Sequence, residues 1–272
     1  MEDFTVAIYC FLDDFMKISH PKEDVKRKMN NAEILTTAII SARYFSGNYV
    51  RGRYYMKHYQ GCLVPDKSNF NRQLHKLAQV LGYILVSLGQ SIKQLNTSSE
   101  YMMDSFPVAV CKNIRIRRCK LLKGEAYRGY NASKREYFYG FKVQLIATAD
   151  GIPTDYFIVA GSVHDSTALN AMHLDLPPGS SIYADSAYTD YELEDYFKEL
   201  EQINLLVERK SNSTRPDSPA MRFIKKYMRK RIETTFSEIL NLFPRKIHAV
   251  TPQGFLLKVV LFIAAYTFER LV

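Results

Sequence analysis

Residues 137–149, YFYGFKVQLIATA, form a long apolar run rich in aromatic and β-branched residues. Asp150-Gly151 follows, and then a second such run, IPTDYFIVAGS, over 152–162. An Asp-Gly pair between two runs of this kind is a hairpin signal. A chain that holds this hairpin has to build a sheet around it. Further strand-like segments supply one: YMMDSFPVAV (101–110), SIYAD (181–185) and INLLVE (203–208). Between them a helix opens near STAL (166–169), and YELEDYFKELEQ (191–202) reads as another. The order is β-β-β-α-β-α-β, antiparallel at first and then alternating. That pattern predicts an α/β domain with a mixed sheet covered by helices. Pro107 predicts a strand end or an irregular edge within the first strand.

The first 100 residues have a different texture. Apolar residues recur at helical spacing and predict helices at about 3–18, 31–45, 48–60, 67–80 and 80–94. Beyond the sheet, RKSNSTRPDSP (209–219) reads as a polar loop, 220–243 as a helix, and the segment after Gly254 as a last apolar helix to about 270. The expected organisation is a helical region over 1–98 and a sheet-containing domain over 99–272. Within the helical region, Pro65-Asp66 precedes KSNFNRQLHKL, which Asp66 or Ser68 could cap. That short helix presents Ser68, Asn69, Arg72 and Lys76 on its polar faces. A small basic helix after a turn, within a bundle, has the form that enters a major groove, so 60–80 reads as helix-turn-helix-like. A purely structural helix is the alternative.

Thirty-seven Lys and Arg stand against 28 Asp and Glu, a net charge of +9, which points to an anionic partner. The charge is unevenly distributed. Residues 151–208 hold one Lys/Arg against eleven Asp/Glu, a net of −10, whereas 209–272 hold thirteen against four, a net of +9. Glu192, Glu194, Asp195, Glu199 and Glu201 are expected to form a solvated acidic helix face. No apolar run reaches the ~20 residues of a membrane span, and the acidic start of the chain does not fit a secretory signal. Four scattered cysteines without CxxC spacing argue for a reducing compartment and against a zinc site.

Three acids stand out by position. Asp104 lies inside the first apolar strand, where a charge is costly unless paired or metal-bound. Asp185 ends the strand SIYAD, where open α/β sheets place their ligands. Glu233 lies in the helix MRKRIETTFSEIL, roughly 75° from the centre of the apolar stripe, while Glu238 is roughly 145° away and expected in solvent. Two Asp and one Glu converging on one spot would need divalent cations, and such hard oxygen donors suit Mg²⁺ or Mn²⁺. Taken singly, each acid reads more readily as a surface or ion-paired group. The three positions together favour a metal site.

The segments MMDSFPVAVC, KGEAYRGYNASKREYFYGFKVQLIATADGIP, AGSVHDSTAL, YADSAYTD, KRIETTFSEI and GFLLKVVLFIAAY together resemble a DDE transposase of a bacterial insertion sequence, most strongly over 101–268. The resemblance implies an RNase H-like fold, a mixed five-stranded sheet in the order 3-2-1-4-5 flanked by helices, with an N-terminal all-helical DNA-binding region. It implies Asp104, Asp185 and Glu233 as the catalytic and metal-binding triad, with two Mg²⁺ (or Mn²⁺) ions. Double-stranded DNA, both element ends and target, would be the partner, the protein acting as a homodimer or higher assembly in the bacterial cytoplasm, on the nucleoid. Two other readings stay open: a metal-dependent nuclease without strand transfer, and an inactive or domesticated DNA-binding protein.

One related group of transposases carries Tyr, Arg, Glu and Lys on its last catalytic helix. Here Arg229 and Glu233 keep their spacing, but Lys226 stands at the Tyr place and Leu240 at the Lys place. Gln144 stands where many relatives have His, a change expected to weaken a contact. His164-Asp165 opens a helix; Asp165 is either its N-cap or, with His164, a support to the site. Arg229 could pair with Glu233 or hold a phosphate. Lys225, Lys226, Arg229, Lys230 and Arg231 form either a solvated face or a DNA groove. Arg117, Arg118, Lys120 and Lys134 lie in basic, aromatic stretches suited to phosphate and base contacts. Tyr127, Tyr130 and Tyr137, in the same stretches, fit a packed core equally well.

Overall fold

The computed structural model describes residues 1–19, 27–131 and 134–272. Ala132 and Ser133, within the RGYNASKREYFYG stretch, lie outside the described residues. The elements in chain order are α1 (Glu2–Ser19), α2 (Asn31–Phe45), α3 (Tyr49–Tyr59), α4 (Lys67–Lys76), α5 (Ala78–Leu95), β1 (Glu100–Cys111), β2 (Arg128–Asn131), β3 (Glu136–Thr148), β4 (Pro153–Ala160), α6 (Asp165–Ala171), β5 (Ser181–Ala184), α7 (Tyr191–Tyr196), β6 (Asn204–Val207), α8 (Pro219–Leu242) and α9 (Pro252–Leu271). They fall into two compact units, Met1–Leu85 with Glu238–Val272, and Val86–Ser237.

The first unit is helical. Its centre is α2, where a capping box fixes the start: the Asn30 side chain accepts from the Glu33 amide at 2.7 Å, and the Asn30 amide donates to the Glu33 carboxylate at 2.8 Å. Ten of its fifteen residues are buried, from Ala32 to Ala42. It packs against α1, α3 and α9. The last helix is thus part of the helical unit, and the packing boundary does not follow the expected break at 98/99. The reason is visible in α9. Pro252 follows the Thr251 cap, and eleven residues from Phe255 to Phe268 are buried, so this helix is core all round and needs helices about it. Asp66 caps α4, accepting from the Asn69 amide at 2.9 Å, which leaves Ser68 exposed.

The second unit is built on a mixed sheet of six strands. β1 is central, antiparallel to β3 and parallel to β5. β3 carries β4 and β2 as antiparallel partners, and β5 continues in parallel to β6. Leaving out β2, the order is the expected 3-2-1-4-5. The expected five strands become six because RGYN pairs with Glu136–Tyr139, a match too short and too polar to show as alternation. β1 runs unbroken through Pro107. Only Glu100–Met103 pair with β5, so from Asp104 onward β1 has β3 as its one partner, and an edge strand tolerates proline. Tyr101, Met103, Ile146, Leu169, Ile182, Tyr188 and Val207 lie in one buried cluster that pins the start of β1 against β5 and β6. The acidic helix face is not simply solvated. Glu194 is buried and paired with both guanidinium nitrogens of Arg209, while Arg215 holds Asp195 through two contacts of 2.7 Å.

Candidate functional site

The parallel pairing of β1, β5 and β6 ends in one row, although β1 itself runs on. Met103 pairs with Ala184, and Ala184 with Val207. One residue further on each strand stand Asp104, Asp185 and Glu208, so an acid occupies the same row of all three. Strand alternation and the shared core beneath fix this row. The sequence reading identified the first two. Glu208 was missed, although the final acid of INLLVE carries the same signal as the final acid of SIYAD.

Asp104 is the costly member. Burial pushes its carboxyl up to about 7; the Ser105 amide, donating to Oδ1 at 2.7 Å, works against this, while Asp185 and Asp165 add to it. Asp185 is part-exposed and caps the short turn Ser186–Tyr188, accepting from the Ala187 amide at 2.8 Å and from the Ser186 hydroxyl at 3.0 Å.

Glu233 is exposed on α8 and bound to Arg229, Nε to Oε1 at 3.2 Å. Arg229 also reaches Glu208 at 3.2 Å and Asp185 at 3.6 Å. Burial disfavours the guanidinium charge, but Asp185, Glu208 and Glu233 outweigh it and hold Arg229 protonated. Arg229 therefore ties three acids from three elements. Glu238 is exposed, as expected, and accepts from the Tyr266 hydroxyl at 2.6 Å.

Behind the row lies a buried polar network that the sequence did not reveal. The Tyr188 hydroxyl donates to Gln144 Oε1, Gln144 Nε2 donates to Asp165 Oδ1 at 2.8 Å, and Lys142 Nζ donates to the same oxygen at 3.1 Å. Gln144 and Tyr188 are fully buried. Burial, then the charges of Asp165, Asp104 and Asp185, drive the Tyr188 hydroxyl well above its ordinary pKa, so it stays a neutral donor. The N-cap place of α6 belongs to His164, whose side chain makes no capping bond. Asp165 is the first helical residue, and its carboxylate serves Lys142 and Gln144. Gln144 joins the two ends of this network, accepting from Tyr188 and donating to Asp165.

Among the described residues, no group of three or more His, Cys, Asp and Glu stands arranged to hold a metal ion. The donor chemistry nevertheless fits one. Asp104 and Asp185 are hard oxygen ligands on adjacent strands, and the burial cost at Asp104 is of the kind a divalent cation offsets.

The other candidate residues are dispersed. Arg72 and Lys76 of α4 are exposed, and Asn69 is half-buried, accepting from Arg72 and Gln73. Arg117, Arg118, Lys120 and Lys134 are exposed, as are Lys226 and Lys230. Lys225 is not part of a groove: it is buried, donating to the Val207 carbonyl at 2.8 Å and to Asp217 at 2.6 Å. Tyr127 packs edge-on against Tyr139 and Phe141, whereas Tyr130 and Tyr137 are exposed.

The site is thus a mixed sheet whose parallel pairing ends in a row of acids, backed by a buried polar network. Residues 96–268, more than half of the chain, match the family described as Transposase DDE domain, and the chain belongs to that family. No match was found among curated proteins or among solved structures.

Proposed function

We propose that this DDE transposase mobilises an insertion sequence: it cuts DNA at terminal inverted repeats and joins the freed ends to target DNA. The catalytic unit is RNase H-like, with Asp104, Asp185 and Glu233 as its triad. The observation that carries this reading is the pair Asp104 and Asp185, one residue beyond the last paired residues of neighbouring parallel strands, with a carboxyl pushed up to about 7.

In the first step water attacks the scissile phosphorus and the 3′ oxygen leaves, taking up a proton. In the second, the freed 3′-hydroxyl loses its proton and attacks a target phosphorus, and the target strand's own 3′ oxygen leaves and takes up a proton. No protein–DNA bond forms. Asp104, Asp185 and Glu233 would hold Mg²⁺ or Mn²⁺, which when bound supplies Lewis-acid stabilisation of the attacking and leaving oxygens. The protein's own contribution is positioning. The row just beyond the last parallel pairs fixes the two aspartates, and Tyr188, Gln144 and Lys142 fix Asp165 behind them. The Arg229 fork, now shared among three carboxylates, has the geometry to grip a phosphate once Asp185 and Glu233 engage a cation. Glu208 then keeps Arg229 anchored. The helical unit, with Ser68, Asn69, Arg72 and Lys76 on α4, binds the inverted repeats. The assembly on DNA is a dimer or larger, because two ends must meet, and it works on the bacterial nucleoid.

The test is incubation of the full chain with labelled duplex DNA from the flanks of its own gene, in Mg²⁺, in Ca²⁺ and with chelator. Cleavage at the element end and a joined product in Mg²⁺ are expected. Asp185→Asn should abolish both and leave DNA binding intact. Mg²⁺-dependent cleavage surviving in that variant would sink the assignment. Cleavage without joining would make the protein a nuclease, and binding without cleavage a domesticated DNA binder.

A further inference from the structure

Residues 112–135 carry nine Lys and Arg against a single acid, Glu125. Among the described residues, the only ion pair in this stretch joins Arg128 to Glu125, at 3.1 Å. Arg115, Arg117, Arg118, Lys134 and Arg135 are exposed. Asn113–Arg118 forms a 3-10 segment, and Asn113 Nδ2 donates to the Tyr137 carbonyl at 2.8 Å. This bond holds the segment's arginines beside the β2–β3 hairpin. On that hairpin Tyr130 and Tyr137 are direct cross-strand partners, with ring centroids 5.0 Å apart and planes inclined by 57°. Their exposures are 51% and 61%.

A cross-strand aromatic pair helps a four-residue strand to register. That accounts for two rings in contact, but not for eight further cations that make no ion pair among the described residues, with Glu136 the next acid along the hairpin. A duplex keeps its base faces stacked within itself and offers an exposed tyrosine only edges and sugars. An unpaired strand offers free base faces and a line of phosphates together, and rings flanked by guanidinium groups match both.

We propose that the β2–β3 hairpin and the adjoining Asn113–Arg118 segment form a binding surface for an unpaired DNA strand. Tyr130 and Tyr137 stack on its bases, and Arg115, Arg117, Arg118, Lys134 and Arg135 take its phosphates. The proposal rests on the transposase reading, whose cleavage step leaves a strand end that is then passed to target DNA.

The experiment compares two probes on the full chain in chelator, where nothing is cut. One is a blunt duplex of about 20 base pairs; the other is the same duplex with an unpaired tail of about eight nucleotides carrying 2-aminopurine, a length within the span of single-strand sites. The tail should tighten binding by about tenfold or more and should quench the 2-aminopurine. Tyr130→Leu/Tyr137→Leu should lose that gain and the quenching while binding the blunt duplex as before. Tyr130→Trp/Tyr137→Trp should retain both. A gain that survives in the leucine variant, or no gain in the parent chain, overturns the proposal. Should the leucine variant fail to fold, photocrosslinking of a 5-iodouracil tail to the parent chain decides the matter. Crosslinks in Asn113–Arg118, Arg128–Asn131 or Glu136–Tyr139 support the surface, and crosslinks confined to other elements overturn it. If the chain binds and cuts blunt duplex but ignores the tail, only this proposal falls. If it binds neither probe, the transposase reading falls with it.

Discussion

A carboxyl that follows three buried residues along a central strand is either neutral or partnered. Asp104 shows both tendencies: burial pushes it up to about 7 from an ordinary 3.8, and Arg229 pulls the other way. The consequence for stability has a definite sign. Between about pH 4 and pH 7 the folded chain holds a proton on Asp104 that the unfolded chain has released, so stability falls as pH rises through that window. Asp104→Asn removes the term. Part of the residue is open to solvent, which screens the penalty, so the variant should be more stable than the parent by about 1–3 kcal/mol at pH 8 without divalent ions, and no more stable at pH 4. Urea denaturation at the two pH values measures this. A variant that loses stability equally at both would show that Asp104 is held by its contacts and not burdened by its charge. Glu208 and Gln144 show what remained hidden at this scale. A strand-end acid can be read from sequence, but its alignment with two others needs the register. A buried glutamine gains its meaning from a hydroxyl and a carboxylate that lie far away in the chain.

At the scale of elements, periodicity carried most of the information. The hairpin β3–β4, the strands β1, β5 and β6, and the helices α2, α8 and α9 stand close to where their apolar spacing predicts. The failures share a cause. β2 is four residues without alternation. The break between α4 and α5 lies at Leu77, with no Gly or Pro to mark it, whereas the spacing placed it near 80. The partner of Glu194, Arg209, lies fifteen residues away, and nothing local announces it. Helix α5 offers a test of how finely packing acts on one element. A Cβ at Gly89 would lie 2.1 Å from the Thr154 carbonyl oxygen of β4, a backbone atom that cannot step aside. On the same side Lys93 is buried and paired with Asp155 at 2.9 Å. Gly82, seven residues earlier, has nothing within 4 Å of a Cβ. Gly82→Ala should therefore raise stability by about 0.5–1 kcal/mol through helix propensity. Gly89→Ala should lower it by about 2 kcal/mol or more by forcing the helix off the strand. Thermal melts of the two variants give the comparison. Equal shifts of one sign would mean that α5 does not rest on β4 at this distance.

For the whole molecule, the two compact units predict two separable opening reactions. One unit gathers the N-terminal helices and α9 around α2; the other is the sheet with its helices. α5 and α8 each begin in one unit and end in the other. Phe262 is fully buried on α9, 4.5 Å from the Phe243 ring, and its ring lies 3.0 Å from the place a Cβ on Gly47 would occupy. Phe262→Ala should cost about 3–5 kcal/mol locally. If the units open independently, hydrogen exchange in α2 and α9 should speed up by several hundredfold, while the amides of β1 and β3 keep their rates. A uniform acceleration across helices and sheet would instead make the chain one cooperative body. The distinction bears on function. With independent opening, the helical unit can be remodelled without disturbing the row of acids. With a single body, the shared helices α5 and α8 would pass any strain in the N-terminal helices directly to Arg229 and Glu233, which lie on α8 before the boundary.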